Sequence, residues 1–325
     1  MSTRRVLFAI RNPEAAHQPG LAKAIQVARA LGASLELFHA IADSIFIELA
    51  NVGDHSVDAL RERVEGEVSV PLARLAEVAR KHGVEAGSSV EWDYPPHEAV
   101  VRRAQAIGAE LIIAEFHRGG RTRPWMIHLT DWELLRTSPV PVLLLKNTKP
   151  YKRPLTLAAV DPGHSHAKPV NLDTRILDAA RELSGRLRGA LHVMHANYPS
   201  IAGLGPPVHK TWSTLTFEQL QDEERRAFEE FRERVGMPRP RAHLVEGNPV
   251  VQIPRLARKL RAGIVVMGAV SRSGLERVFI GNTAERILGA LNCDVLVVKP
   301  ATFAARVARD PRGIRVTVPA TPLAC

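Results

Sequence analysis

The chain repeats itself. Val90–Lys146 aligns without a gap on His243–Lys299 at an offset of 153 residues. Pro96 falls on Pro249, Arg102 on Arg255, Ala104 on Ala257, Ile127 on Ile280, Thr130 on Thr283 and Leu135 on Leu288. Two apolar blocks also coincide: Leu111–Ala114 with Ile264–Met267, and Val142–Lys146 with Val295–Lys299. With small changes of offset, Val6–Ile10 matches Leu157–Val160, and Leu35–Ala40 matches Leu191–Ala196. A chain built this way folds as two versions of one unit. The 325 residues therefore divide into domain 1 (1–149), domain 2 (150–302) and a basic C-terminal tail (303–325). The basic, proline-bearing stretch Lys146–Pro154 reads as the linker.

Within each half the apolar runs are short and continuous, the pattern of strands buried on both faces. The first set is 4–11, 34–40, 86–92, 110–115 and 140–146. The second is 154–160, 189–196, 241–246, 263–268 and 293–299. Helical spacing lies between them: Gly20–Leu31, Leu172–Leu183, Thr216–Val235, and Val57–His82 with Val64, Val68, Leu72, Leu75 and Val78 inward. Alternating strands and helices predict an α/β fold. Each half is a doubly wound, five-stranded parallel sheet of order 3-2-1-4-5 flanked by helices. Such a sheet receives ligands outside the carboxyl ends of its strands, at the switch between strands 1 and 4.

Composition narrows the function classes. Hydrophobic residues make up 45% and charged residues 24%, an ordinary globular balance. No apolar run reaches the length of about 20 residues that spans a bilayer, so no membrane partner is expected. The start MSTRRVLFAI has no secretory pattern, and two cysteines make neither a disulfide framework nor a cysteine-built zinc site. These features point to the cytoplasm. The net charge is +10, but the arginines are spread out and aromatics are only 5%, which argues against nucleic acid.

The tip of the second-half strand 4 carries the most chemistry. Gly268 follows Met267, Ser271 comes three residues later, and Gly281, Asn282 and Thr283 open a helix running to about Ala290. Glycine allows close approach that a side chain would block. Exposed N–H groups at a helix N-terminus favour phosphate, and Asn282 or Thr283 can cap the helix or bond a phosphate oxygen. Asp161 closes the first strand of this half and faces the same crevice, where a carboxylate accepts from a ribose hydroxyl or helps hold a metal. The same glycines also serve as mere turn formers in an inherited fold, and the crevice equally suits another ligand, an apolar one included.

This arrangement, Gly268-x2-Ser271-x9-Gly281-Asn282, resembles the G-x2-G-x9-G-[S/T] signature of the universal stress protein superfamily. Ala262–Ile287 and Leu129–Lys146 are similar to its tandem two-domain members, and the resemblance covers residues 3–300. It implies ATP or AMP as ligand, with magnesium, and a stress-response role without a dedicated catalytic reaction. Slow ATP hydrolysis is compatible with it. Base-ring and ribose contacts are implied for Asp161, Met267 and Gly268. Phosphate contacts are implied for Ser271, Arg272, Gly281, Asn282 and Thr283. Ser271 stands where the signature has its second glycine. In the first half Glu115, Arg118, His128, Leu129 and Arg11 replace Gly268, Ser271, Gly281, Asn282 and Asp161, so the first site is degenerate. Glu115, Arg118 and Arg11 are expected to pair with one another in a filled crevice. The resemblance further implies that the halves pair through strand 5 of each as an intrachain pseudo-dimer. A homodimer of the whole chain is left open, as is a ligand-independent interaction scaffold.

The remaining constellations have structural readings. His164-x-His166 follows Asp161, but no intrinsic metal is expected. His192 and His195, three apart on a strand, face opposite ways. His39 and His195 are repeat mates, which reflects common ancestry. Thr130 or Asp131 is expected to cap a helix with Trp132 at its start. Cys293 is expected in the core. The stretches Pro199–Trp212 and Ile41–Ser56 are read as loops, either lids over the crevice mouths or surface excursions. No G-x-S-x-G, H-E-x-x-H or Walker motif is present.

Overall fold

The computed structural model describes residues 4–42, 45–46, 54–116, 124–162, 171–197, 217–268, 282–313 and 316–317. The chain divides into two compact units. Unit 1 comprises Met1–Pro150 together with Phe303–Cys325, and unit 2 comprises Tyr151–Thr302.

Unit 1 holds strands β1 (Arg5–Ala9), β2 (Ser34–Ile41), β4 (Ala86–Trp92), β5 (Leu111–Glu115) and β6 (Val142–Leu145), with a short β3 (Ile45–Phe46). Its helices are α1 (Leu21–Leu31), α2 (Asp54–Lys81), α3 (Pro96–Ala106) and α4 (Pro124–Thr137). The strand order is β4-β2-β1-β5-β6, all parallel. Unit 2 holds β7 (Leu155–Ala159), β8 (Ala190–Asn197), β9 (Ala242–Glu246), β10 (Ile264–Gly268) and β11 (Asp294–Val298). Its helices are α5 (Leu172–Arg186), α6 (Phe217–Arg234), α7 (Pro249–Lys259) and α8 (Asn282–Ala290). Its order, β9-β8-β7-β10-β11, repeats that of unit 1. Both match the expected 3-2-1-4-5 arrangement.

Burial explains the apolar runs. The central strands β1, β5, β7 and β10 keep their middle residues out of solvent on both faces, while β4 and β9, third in their units, are half-buried with an exposed residue each. Alternation is lost where helices cover both sides, which is why these strands read as continuous hydrophobic blocks. Cys293 is buried beside them.

Two local expectations change. Residues 130–132 lie inside α4, which starts at Pro124, so Thr130 and Asp131 are not caps and Trp132 is not at a helix start. Proline at the first helical position begins a helix without needing its N–H. In α2 the covered stripe is Leu72, Ala76 and Ala79, with Val68 and Leu75 half-buried, whereas Val78 is 39% exposed. Ala79 sits one residue further round and takes the inward position, since the true repeat is 3.6 residues.

Residues 303–325 group with unit 1. Arg312 donates to both carboxylate oxygens of Glu98, at 2.6 and 3.0 Å, and the Gly313 amide donates to Asp93 Oδ1 at 2.9 Å. The Ala308 carbonyl accepts from Arg102 at 3.2 Å. A short strand β12 (Val316–Thr317) then pairs in parallel with β3. Asp93 is fully buried and its other oxygen meets the Arg102 guanidinium. The segment is thus a strap held by charge-assisted bonds to the loop after β4 and to α3.

Candidate functional site

In unit 2 the chain leaves β7 for β8 on one side, and later returns from β9 to β10 on the other. The carboxyl ends of β7 and β10 are therefore where the winding reverses and a crevice opens. Asp161 stands just past β7, its side chain 37% exposed. Met267 and Gly268 end β10, in register with β7 through Met267 and Ala159. Helix α8 begins at Asn282, immediately after Gly281 of the motif. It leads into β11, which runs parallel to β10, so its N-terminus opens at the carboxyl edge of the sheet. That orientation turns backbone N–H groups and the positive end of the helix dipole toward the crevice. The structure thus brings Asp161, Met267, Gly268 and the first turn of α8 (Asn282, Thr283) to one edge. Ser271, Arg272 and Gly281 lie outside the described residues, as do His164, His166 and Pro199–Trp212.

Gly268 has a packing reason to be glycine. A Cβ there would stand 2.8 Å from Leu172 Cδ2 and 3.1 Å from Ile176 Cδ1, so the first turns of α5 lie directly on its backbone. Leu172 and Ile176 are both buried. The opening turn of α5 also carries Asp173, whose Oδ1 accepts from the Asp161 amide at 3.0 Å. Arg175 on the same turn donates from Nε to the Lys299 carbonyl at 2.9 Å, tying α5 to the end of β11.

Unit 1 solves the same corner differently. Glu115 occupies the position of Gly268, and its Oε1 accepts from the Gly20 amide at 2.5 Å, at the N-terminus of α1. A carboxylate there is favoured by the unsatisfied amides and the helix dipole. A Cβ on Gly20 would come 2.8 Å from Glu115 Cγ, so the glycine of this pair has moved from the strand to the helix. The expected grouping of Glu115 with Arg11 does not form: Arg11 is exposed and makes no ion pair among the described residues. The helix amide replaces the arginine as partner, because it is fixed in place while a surface guanidinium gains little from pairing. Arg118 lies outside the described residues.

Around Asp161 the second strand contributes His195, which is buried. Its Nδ1 bonds the Val160 carbonyl at 3.1 Å and lies 3.7 Å from Asp161 Oδ1, and its Nε2 lies 3.7 Å from Glu224 Oε2 on α6. The repeat mate His39 makes the same bond, Nδ1 to the Ile10 carbonyl at 2.7 Å. His192 turns elsewhere, its Nδ1 2.8 Å from His243 Nε2. Burial, together with the nearby Arg241 for His192 and Lys259 for His243, holds both of these imidazoles below the usual histidine range. Among the described residues no group of three or more His, Cys, Asp or Glu side chains is placed to hold a metal ion. No helix among them is long and apolar enough to cross a membrane.

Two features escaped the sequence reading. Asp173 was one acid among many, and only its place in the first turn of α5 hints at a role. Lys299 was a repeat mate of Lys146. Lys146 lies over the Phe116 ring with its ammonium 4.3 Å from the centroid, whereas Lys299 is buried and its ammonium is pushed down to about 8 by burial.

Fold and crevice together define a tandem doubly wound α/β protein with a glycine-bearing switch point in its second unit. The universal stress protein family model matches residues 2–146 and 168–299, and the chain belongs to that family. Among curated relatives it is 26% identical over 319 residues to universal stress protein E of Escherichia coli K12, covering 95% of this chain and 98% of that one. It is 27% identical over 323 residues to universal stress protein E of Salmonella typhi, covering 95% and 99%. The crystal structure of a protein of this kind from Pseudomonas aeruginosa UCBPP-PA14 superposes with a TM-score of 0.70 at 29% identity, covering 92% of this chain and 94% of that one.

Proposed function

We propose that this chain is a nucleotide-responsive stress protein that takes ATP or AMP in the unit 2 crevice and acts as a regulator rather than a dedicated enzyme. The observation that carries the reading is the start of α8 at Asn282, directly behind Gly281, on the edge that also bears Asp161. A helix N-terminus supplies phosphate with backbone donors and a favourable dipole. In this reading Gly281, Asn282 and Thr283 take the phosphates with Ser271 and Arg272. Asp161 accepts from the ribose, Met267 and Gly268 border the base, and magnesium enters with the phosphates. Unit 1 is silent in this reading, because its motif glycines are replaced and Glu115 puts a carboxylate at the tip of β5, where unit 2 has Gly268. A cytoplasmic location belongs to the same reading and rests on family membership.

One observation favours a second reading, a ligand-independent scaffold: the space in front of Gly268 is taken by Leu172 and Ile176, so this glycine is accounted for without a ligand. Calorimetric titration of the intact chain with Mg-ATP separates the two, preceded by mass spectrometry of whatever copurifies. Saturable binding near one site per chain, lost in Gly281→Val, supports the nucleotide reading. No heat and no carried nucleotide leaves the scaffold, and a copurified apolar molecule would name another ligand for the same crevice.

A further inference from the structure

We propose that His195 and Asp173 are positioning residues that together fix the direction in which Asp161 leaves the end of β7. The inference rests on the nucleotide reading for its purpose, but its geometry stands alone. The Val160 carbonyl and the Asp161 amide belong to one planar peptide unit. The carbonyl accepts from His195 Nδ1 at 3.1 Å, and the amide donates to Asp173 Oδ1 at 3.0 Å. One peptide plane is therefore held from both sides, just beyond the Val160 amide's bond to the Met194 carbonyl at 3.0 Å.

Neither clamp residue is loosely placed. A carbonyl can only accept, so Nδ1 of His195 carries the hydrogen. The ring is 2% exposed, stacks on Phe228 at 6.0 Å between centroids, and has Glu224 beyond Nε2. Asp173 rides on the first turn of α5, which packs on Gly268 through Leu172. The Asp161 carboxylate, by contrast, is 37% exposed, with Oδ1 3.7 Å from His195 Nδ1.

The two repeats act as each other's control. Unit 1 keeps the histidine half of the clamp, His39 on the Ile10 carbonyl, but α1 has no acidic residue in its first turn. The residue so presented is Arg11, not a carboxylate. The complete clamp occurs where the glycine-bearing strand tip also persists. A carboxylate that must meet a pair of ribose hydroxyls gains from a fixed starting direction, because a loose one loses freedom on binding.

The test uses the full chain and compares Asp173→Ala with Asp173→Asn, which keeps the accepting oxygen, and His195→Leu with His195→Asn, which keeps a donor near Nδ1. The first readout needs no nucleotide: hydrogen exchange of the Asp161 amide by NMR. Asp173→Ala should speed it about tenfold and Asp173→Asn should restore protection, as expected for loss and recovery of one bond. The second readout is calorimetric affinity for Mg-ATP against its 2′,3′-dideoxy analogue. Asp173→Ala and His195→Leu should weaken ATP about tenfold and leave the analogue nearly unchanged, with the conservative variants close to wild type. Unchanged exchange in Asp173→Ala overturns the clamp. So does equal weakening of ATP and the analogue, or equal damage by the alanine and asparagine variants. If the wild type binds no ATP, the nucleotide reading fails on its own, and the exchange measurement still decides whether the peptide is clamped.

Discussion

Replacing Arg102 with methionine removes the ion pair to Asp93 on which the unit 1 strap is anchored, together with the weaker contacts to Glu98 and the Ala308 carbonyl. Asp93 is fully buried, with one oxygen on the Arg102 guanidinium and the other accepting from the Gly313 amide. Methionine keeps much of the arginine stem's packing, so the change is mainly one of charge. Removing one partner of a buried pair costs about 3–5 kcal/mol, because the remaining charge stays desolvated. The Gly313 bond survives, which sets the expectation at the low end, about 3 kcal/mol. For a unit of this size that corresponds to a fall of about 6–12 °C in Tm. Differential scanning calorimetry of the full chain, with urea titration at 25 °C, would follow it. The double variant Asp93→Asn, Arg102→Met removes the orphaned charge as well and should recover at least about half of the loss. A loss below about 1 kcal/mol in the single variant, or a double variant as damaged as the single, would refute the assignment of this pair as the anchor.

Other outcomes follow from the same geometry. Truncation after Thr302 deletes the Arg312 and Gly313 bonds and should cost unit 1 about 1–3 kcal/mol while leaving the unit 2 transition in place, which calorimetry resolves. Gly268→Ala pushes a methyl against Leu172 and Ile176 and should destabilise unit 2 by about 1–3 kcal/mol in urea titration. Lys299 has a native value of about 8 against 10.5 for the free side chain, so between those pH values the unfolded chain holds a proton that the native chain lacks. Unit 2 should therefore gain stability as pH rises through that window. Lys299→Met should abolish the gain, read by urea titration across that pH window. Tyr151 donates its hydroxyl to the buried Asp294 carboxylate at 2.6 Å, and Tyr151→Phe should cost about 1–3 kcal/mol, read by the same titration.

Much of the fold was legible because its signals are local or periodic. Short apolar runs bounded by polar turns located β1, β2 and β4 to β11 but not the short β3 and β12, since a strand covered on both faces has no reason to alternate. Gly268, Asp161 and the start of α8 share the carboxyl edge of the sheet, because parallel winding carries the ends of strands 1 and 4 to one edge whatever the side chains are. The Glu115 and Gly20 exchange was half visible: the missing glycine at position 115 stood in the sequence, but not the helix amide that donates to its carboxylate. The clamp on Asp161 was invisible, because Asp173, His195 and Val160 are brought together only when α5 and β8 pack around β7. The helix start at Pro124 and the outward turn of Val78 are not legible in the sequence, because a count of every third residue drifts against the 3.6-residue turn, and nearly two turns of extra helix leave no compositional mark.

The sequence by itself determined the repeat, the strand order and the sheet edge at which the winding reverses. These follow from hydrophobic periodicity and the handedness of crossovers, which depend on residue class rather than on exact contacts. Tertiary structure alone decided that the last residues strap onto unit 1, that Glu115 answers the α1 amide, that Lys299 is buried, and that Asp161 is held through its own peptide. Each of those depends on the distance between groups far apart in the chain, and a hydrogen bond or a desolvated charge is settled over a few tenths of an ångström that no linear pattern encodes.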